Sequence, residues 1–280
     1  MSYGPLPEQV LDVHVPSNGA RPFPVVLYVH GGGWTAGSRA DLPDLIRTLR
    51  PDVGVAVVSI DYRLVAGAPD GAYTNTFPAA SYDVDRAIRF VRANAGRWDL
   101  DPNHIIVAGI SAGGQLAALA GVAPGAFTDP RLSPELARVS ARVQGVIDYV
   151  GPSDFRTFSE ASGWAALMTA ELLGCEPLRP DTCDPARVAA ASIATHLRAS
   201  APPAYLAYGE QDPLVSPATQ GTPLATAWAR QRGDLSQPDV SRRGVWYEQQ
   251  ANAGHNFDRS NSNYKRMERW LRRVITGRLK

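Results

Sequence analysis

Lysine is nearly missing from this 280-residue chain, where only Lys265 and Lys280 occur among 28 basic residues. A lysine-activated serine can therefore be sought only at Ser262-Asn263-Tyr264-Lys265, which has the S-x-x-K form. No K-T-G segment accompanies it, and it falls in a C-terminal helical pattern, so the match is read as accidental. Cysteine is as scarce. Cys175 and Cys183 bracket a loop carrying Pro177 and Pro180. A bridge between them would contribute roughly 2–3 kcal/mol by restricting the unfolded chain; two free thiols in a reducing compartment are the alternative. No histidine, cysteine or carboxylate set has metal-ligand spacing, so neither a metal nor another cofactor is expected. No apolar run approaches the roughly 18 residues of a membrane-spanning helix, so a membrane is not an expected partner. Blocks of like charge are also missing, and the net charge of +1 offers polyanions nothing to bind, which argues against nucleic acid. Met1–Pro5 lacks the basic and apolar regions of a signal peptide, so the cytoplasm is the expected location unless the chain is a trimmed mature form.

What is present is an ordinary globular composition, 44% hydrophobic and 20% charged, with length for one large domain. Val10–Val15 alternates apolar and polar residues like a half-buried strand. Val25–Val29, Val55–Ile60 and Ile105–Ala108 are unbroken apolar runs, the pattern of strands covered on both faces. Val143–Val150, Tyr205–Tyr208 and Val245–Glu248 complete the set. Helical patterns lie between them at Leu42–Leu49, Ala79–Ala95, Ala112–Ala120, Pro217–Gln231 and Tyr264–Ile275. In the second, Val84, Ala87, Ile88 and Val91 form an apolar stripe. This alternation predicts an α/β fold, a mostly parallel sheet with helices on both faces. One domain over 1–280 is expected, with residues of roughly 154–200 inserted as a small cap at the carboxyl edge of the sheet.

Two glycine-bearing segments carry the chemistry. Gly109-Ile110-Ser111-Ala112-Gly113-Gly114 has the G-x-S-x-G form, in which a sharp strand-to-helix turn lifts a serine Oγ clear of the sheet. His30-Gly31-Gly32-Gly33-Trp34 supplies backbone N–H groups able to receive the oxyanion that forms when such a serine attacks a carbonyl. A serine hydroxyl needs a histidine to take its proton and an acid to orient the imidazole. Asp212, in Gly209-Glu210-Gln211-Asp212-Pro213-Leu214, follows the Tyr205–Tyr208 strand. His255, in Ala253-Gly254-His255-Asn256-Phe257, follows Val245–Glu248. Nucleophile, acid and histidine then occur in that order. Glu210 is the rival acid and is expected to face solvent; Asp148 and Asp154 are weaker rivals. His14, His104 and His196 are read as structural.

The two motifs resemble the hormone-sensitive-lipase-like branch of α/β-hydrolase esterases, in particular small bacterial carboxylesterases carrying HGGGW. Tyr3-Gly4, Leu11-Asp12-Val13, Asp61-Tyr62-Arg63-Leu64, Asp83, Asp101-Pro102-Asn103 and Asp212-Pro213-Leu214-Val215 extend the likeness over nearly the whole chain. The resemblance implies that Ser111 is acylated, that His255 acts as base and then acid, and that Asp212 orients His255. It implies an oxyanion hole from the N–H groups of Gly32, Gly33 and Ala112, with His30 fixing the loop. Trp34, Ile110, Trp164, Met168 and Leu214 are assigned to substrate contact, with lid packing as the alternative for Trp164 and Met168. Many relatives carry an acidic residue where this chain has Ile110, which leaves the site less charged. A β region beginning by residue 10 leaves no room for a long N-terminal cap, which points to an open pocket.

The activity implied is hydrolysis of short- to medium-chain carboxylic esters through an acyl-enzyme on Ser111. An amidase or arylformamidase using the same groups is the alternative within enzymes. A catalytically inactive ligand-binding homologue is the alternative outside them. The expected partner is a small-molecule ester, and the chain is expected to be a monomer or a homodimer.

Overall fold

The computed structural model describes residues 1–67, 72–160, 162–176, 178–233, 244–256 and 263–279. The valine- and isoleucine-rich runs become strands: β1 (Leu11–His14), β2 (Phe23–Val29), β3 (Ala56–Ile60), β4 (Leu100–Ile110), β5 (Gly145–Tyr149), β6 (Ala204–Gly209) and β7 (Val245–Gln250). They lie in the order β1-β3-β2-β4-β5-β6-β7. Only β1 runs against its neighbour; every other pair among these strands is parallel. The carboxyl ends of β2 through β7 therefore share one edge, where an open α/β sheet receives ligands. Val25–Val29 and Ile105–Ala108 are buried throughout, because helices cover both faces.

Those helices are α1 (Ala79–Ala93), α2 (Ala112–Val122), α3 (Gly163–Leu173), α4 (Pro185–Ala191), α5 (Thr222–Gln231) and α6 (Asn263–Ile275). On α6 the sequence stripe works as amphipathicity predicts. Tyr264, Met267, Trp270, Leu271 and Val274 are buried, while Lys265, Arg269 and Arg272 are exposed. Ser262 of the accidental S-x-x-K match lies outside the described residues.

α1 departs from its simple stripe. Val84, Ala87, Ile88 and Val91 are buried as expected, but Asp83, Asp85, Arg86 and Arg89 are buried as well. Charged residues tolerate this only when paired. Arg63 forks onto Asp83 at 2.8 Å, and Gln9 Nε2 donates to the same carboxylate at 2.7 Å. Arg89 pairs with Asp85 at 2.7 Å, and Arg86 reaches Asp129 at 3.4 Å. Tyr3 donates to the Asp61 carbonyl at 2.6 Å. Gln9, Arg63 and Asp83 thus meet in one buried polar cluster, although they are far apart in the sequence.

Two helices differ from the sequence reading. The Leu42–Leu49 pattern becomes two short helices, Asp44–Arg47 and Leu49–Val53. Pro51 has no N–H for the Arg47 carbonyl, so the ladder breaks there. The Pro217–Gln231 pattern begins as a π-helical turn over Pro217–Gly221. Pro223 offers no N–H to the Thr219 carbonyl, and the first turn opens.

Between β5 and β6 the chain forms a short helix at Phe155–Phe158, then α3, α4 and a 3₁₀ turn at Ile193–His196. Cys175 and Cys183 are joined by a disulfide, the first of the two alternatives open to the sequence. The bridge follows directly on the left-handed Gly174 that ends α3.

Candidate active site

β4 ends at Ile110 and α2 starts at Ala112, which leaves Ser111 alone to make the turn. Its backbone lies at φ 58°, ψ −124°, a region a non-glycine residue occupies only when its surroundings hold it there. The Ser111 amide donates to the Tyr149 carbonyl at 2.8 Å, and the Gln115 amide donates back to Ser111 at 3.1 Å. Gly113 allows the turn to sit against β2, since a Cβ there would come within 2.1 Å of the Val29 carbonyl oxygen. The Ala112 N–H, first in its helix, has no intrahelical acceptor.

Asp212 stands three residues beyond β6, and His255 five beyond β7. Because both strands end at the Ser111 edge, the loops converge. Ser111 Oγ lies 2.9 Å from His255 Nε2, and His255 Nδ1 lies 2.7 Å from Asp212 Oδ2. The second oxygen of Asp212 accepts the Leu214 and Val215 amides at 2.8 and 3.0 Å. A carboxylate held this way can only accept, so it takes Nδ1–H and leaves the Nε2 lone pair for the Ser111 hydroxyl. The Asp212 side chain is 0% exposed and that of His255 19%, so the imidazole is the member that faces solvent. Glu210 is exposed. Asp154 caps the Phe155–Phe158 helix and pairs with Arg156, and Asp148 is buried behind the elbow.

On the other side of Ser111 lies the glycine loop. His30 is buried; its Nδ1 contacts the Gly31 carbonyl at 2.7 Å, and its ring stacks on Tyr62 at 4.2 Å. Tyr62 in turn donates to the His30 carbonyl at 3.0 Å. Burial lowers the pKa of His30, which keeps it a neutral loop-fixing group.

Known proteins resemble this chain in sequence and in fold. The BD-FAE family matches residues 11–227. The chain belongs to that family. Over 236 residues it is 30% identical to the probable carboxylic ester hydrolase LipM of Mycobacterium tuberculosis, covering 84% of this chain and 49% of that protein. Over 263 residues it is 32% identical to esterase LipC of the same organism, covering 91% and 59%. The chain thus spans about half the length of the curated relatives it matches. A truncated carbohydrate esterase from gut microbiota superposes with a TM-score of 0.78 at 23% identity, covering 99% of this chain and 95% of that one. That likeness shows the α/β-hydrolase fold.

In this BD-FAE member an open cleft of about 450 Å³ surrounds Ser111 and His255. Ile110, Leu214, Met168 and Trp164 give it apolar walls, Gly32 and Gly33 form its floor, and Thr35 and Asn256 add polar groups. Trp164 is 38% exposed, at the mouth. Trp34 corrects the sequence reading. It does not line the cleft; it is 1% exposed and packs on Phe155 with ring centroids 5.7 Å apart. Gly32, Gly33 and Trp34 all have positive φ, and the Thr35 and Ala36 amides fold back onto the Gly32 carbonyl. This reversal turns the indole inward. Thr35 and Asn256 were given no role from the sequence, although Thr35 adjoins Trp34 and Asn256 stands beside His255 in its motif. A larger cavity of about 840 Å³, bordered by His104, Arg142 and Gln144, lies near the amino ends of β5 and β6 and contains none of these groups.

Proposed function

We propose that this chain is a serine carboxylesterase acting on short- to medium-chain esters, with Ser111, His255 and Asp212 as its catalytic groups. The observation that carries the reading is the hydrogen-bonded line from Ser111 Oγ through His255 to Asp212, at 2.9 and 2.7 Å. Ser111 Oγ attacks the ester carbonyl carbon as its proton passes to His255 Nε2. The carbonyl oxygen becomes an oxyanion received by the N–H groups of Ala112, Gly32 and Gly33. His255 returns its proton to the departing alcohol, leaving an acyl-enzyme on Ser111. Water then repeats the sequence and releases the acid. Asp212 stabilises the imidazolium and holds its tautomer.

Ile110, Leu214, Met168 and Trp164 contact the substrate, and the segment of roughly 154–200 serves as a cap that brings α3 over the glycine loop. Among the described residues no carboxylate, lysine or arginine lines this open cleft, which suits a neutral ester with a modest acyl chain. Turnover of p-nitrophenyl esters from acetate to palmitate, with Ser111→Ala as control, tests the reading. We expect a maximum at short to medium chains that vanishes in the variant. Residual turnover by Ser111→Ala rules out Ser111 as nucleophile, and turnover of amides or formamides alone favours the amidase alternative.

A further inference from the structure

Behind the serine lies a second strained residue. Val150, directly after β5, has φ 50°, where a β-branched side chain stands only under constraint. The same turn carries the nucleophile's backbone, because the Ser111 amide donates to the Tyr149 carbonyl at 2.8 Å. The Val150 amide donates to Ala207 on β6 at 2.9 Å. Gly151 is gripped at both polar groups. Its N–H donates to Asp148 Oδ1 at 2.9 Å, and its carbonyl accepts from the Tyr208 hydroxyl at 2.7 Å. A Cβ on Gly151 would come within 2.6 Å of the Gln115 nitrogen, and one on Gly114 within 2.3 Å of Asp148 Oδ1. The turn, Asp148 and the first turn of α2 are therefore in direct contact.

Proton counting decides the state of Asp148. The Tyr208 hydroxyl has one hydrogen and two acceptors in reach, the Gly151 carbonyl at 2.7 Å and Asp148 Oδ2 at 3.1 Å. A charged Asp148 would compete for that hydrogen and leave one acceptor short, with both side chains fully buried. A neutral Asp148 satisfies every group. Its Oδ2–H donates to the Tyr208 oxygen, Tyr208 donates to Gly151, and Oδ1 accepts the Gly151 amide. Burial works in the same direction and pushes the carboxyl up to about 7, against the pull of the Tyr208 and Gly151 donors. The facing titratable group is Tyr208 from β6, itself coupled to Tyr247 and Asp212. Neighbouring strands present Gly109 and Leu206 in register with Asp148, and α2 presents Gly114 and Gln115, all uncharged.

We propose that Asp148 is a neutral positioning acid which, with Tyr208, clamps the Tyr149–Gly151 turn and through the Ser111 amide sets where the nucleophile stands. The catalytic part rests on Ser111 being the nucleophile; the protonation part does not. A carboxyl raised from about 4 in the unfolded chain to about 7 in the fold binds its proton more tightly when folded. Its contribution to stability is thus complete below about pH 4 and is lost as pH rises through about 7.

Asp148→Asn copies the neutral acid, with an N–H for Tyr208 and an oxygen for the Gly151 amide. Thermal midpoints at pH 5, 7 and 9, with kcat and KM on p-nitrophenyl acetate, are compared for wild type, Asp148→Asn, Asp148→Ala and Tyr208→Phe. The wild-type midpoint should fall from pH 5 to 9 by about 5 °C more than that of Asp148→Asn. Asp148→Asn should keep kcat within about threefold, while Asp148→Ala and Tyr208→Phe lose about tenfold or more with KM little changed. Equal pH slopes in wild type and Asp148→Asn overturn the neutral acid. A kcat in Asp148→Asn as low as in Asp148→Ala overturns the clamp. If either of the two disruptive variants fails to fold, the pH slopes of wild type and Asp148→Asn still decide. Absence of wild-type ester turnover would refute the esterase reading, while the pH slopes continue to test Asp148.

Discussion

The indole of Trp34 donates to the side-chain oxygen of Gln115 at 3.2 Å, joining the glycine loop to the helix that follows the nucleophile. Gln115 also donates through Nε2 to the Ala191 carbonyl at 2.9 Å, so one buried amide ties the loop, α2 and the segment between β5 and β6 together. Gln115→Leu would strand an indole N–H and a backbone carbonyl in the core. We expect a loss of about 1–3 kcal/mol for each stranded group in urea unfolding, with a lower kcat as the loop loses its register. Unaltered unfolding would show that the amide ties nothing together.

Gly32 tests the glycine loop. Its φ is 112°, and a Cβ would come within 2.2 Å of the Ala36 carbonyl oxygen. Gly32→Ala must therefore open the loop. We expect kcat to fall about 10²-fold or more with the circular dichroism spectrum retained, as when an oxyanion donor is lost. Full activity would remove Gly32 from the oxyanion hole.

The choice of acid is tested by a pair of amides. Asp212→Asn should cost up to about 10⁴-fold in kcat, because the amide stabilises the wrong imidazole tautomer. Glu210→Gln alters an exposed side chain and should leave kcat within about twofold. The reverse pattern would transfer the role to Glu210.

Asp83 is not among the described residues lining the cleft and should act on stability alone. Its side chain is 0% exposed and pairs with an Arg63 side chain that is 9% exposed. Asp83→Ala leaves that guanidinium buried without its partner, at a cost of about 3–5 kcal/mol in denaturant unfolding. A loss under about 1 kcal/mol would mean that Arg63 relaxes to solvent or is compensated by Asp129.

What the sequence by itself determined is local. Valine- and isoleucine-rich runs prefer extended backbone wherever both faces are covered, so the strand cores at Val25–Val29 and Ile105–Ala108 were legible from composition and period alone. The elbow at Ser111 and the loop at Gly31–Gly33 were legible because tight turns and close backbone approach demand glycine at set offsets. Asp212 and His255 could be named because each follows its own strand, and parallel strands share one carboxyl edge. Only the tertiary structure decided what depends on three-dimensional company. It turned Trp34 into the core, although its motif position suggested a pocket wall. It buried the charged face of α1, since Arg63 and Asp129 arrive from distant segments to pair with it. It made Asp148 a buried group beneath the elbow, and neither burial nor the partners of a carboxyl are written in its neighbours along the chain. Local backbone preference is encoded residue by residue; the environment of a side chain exists only once remote segments have packed around it.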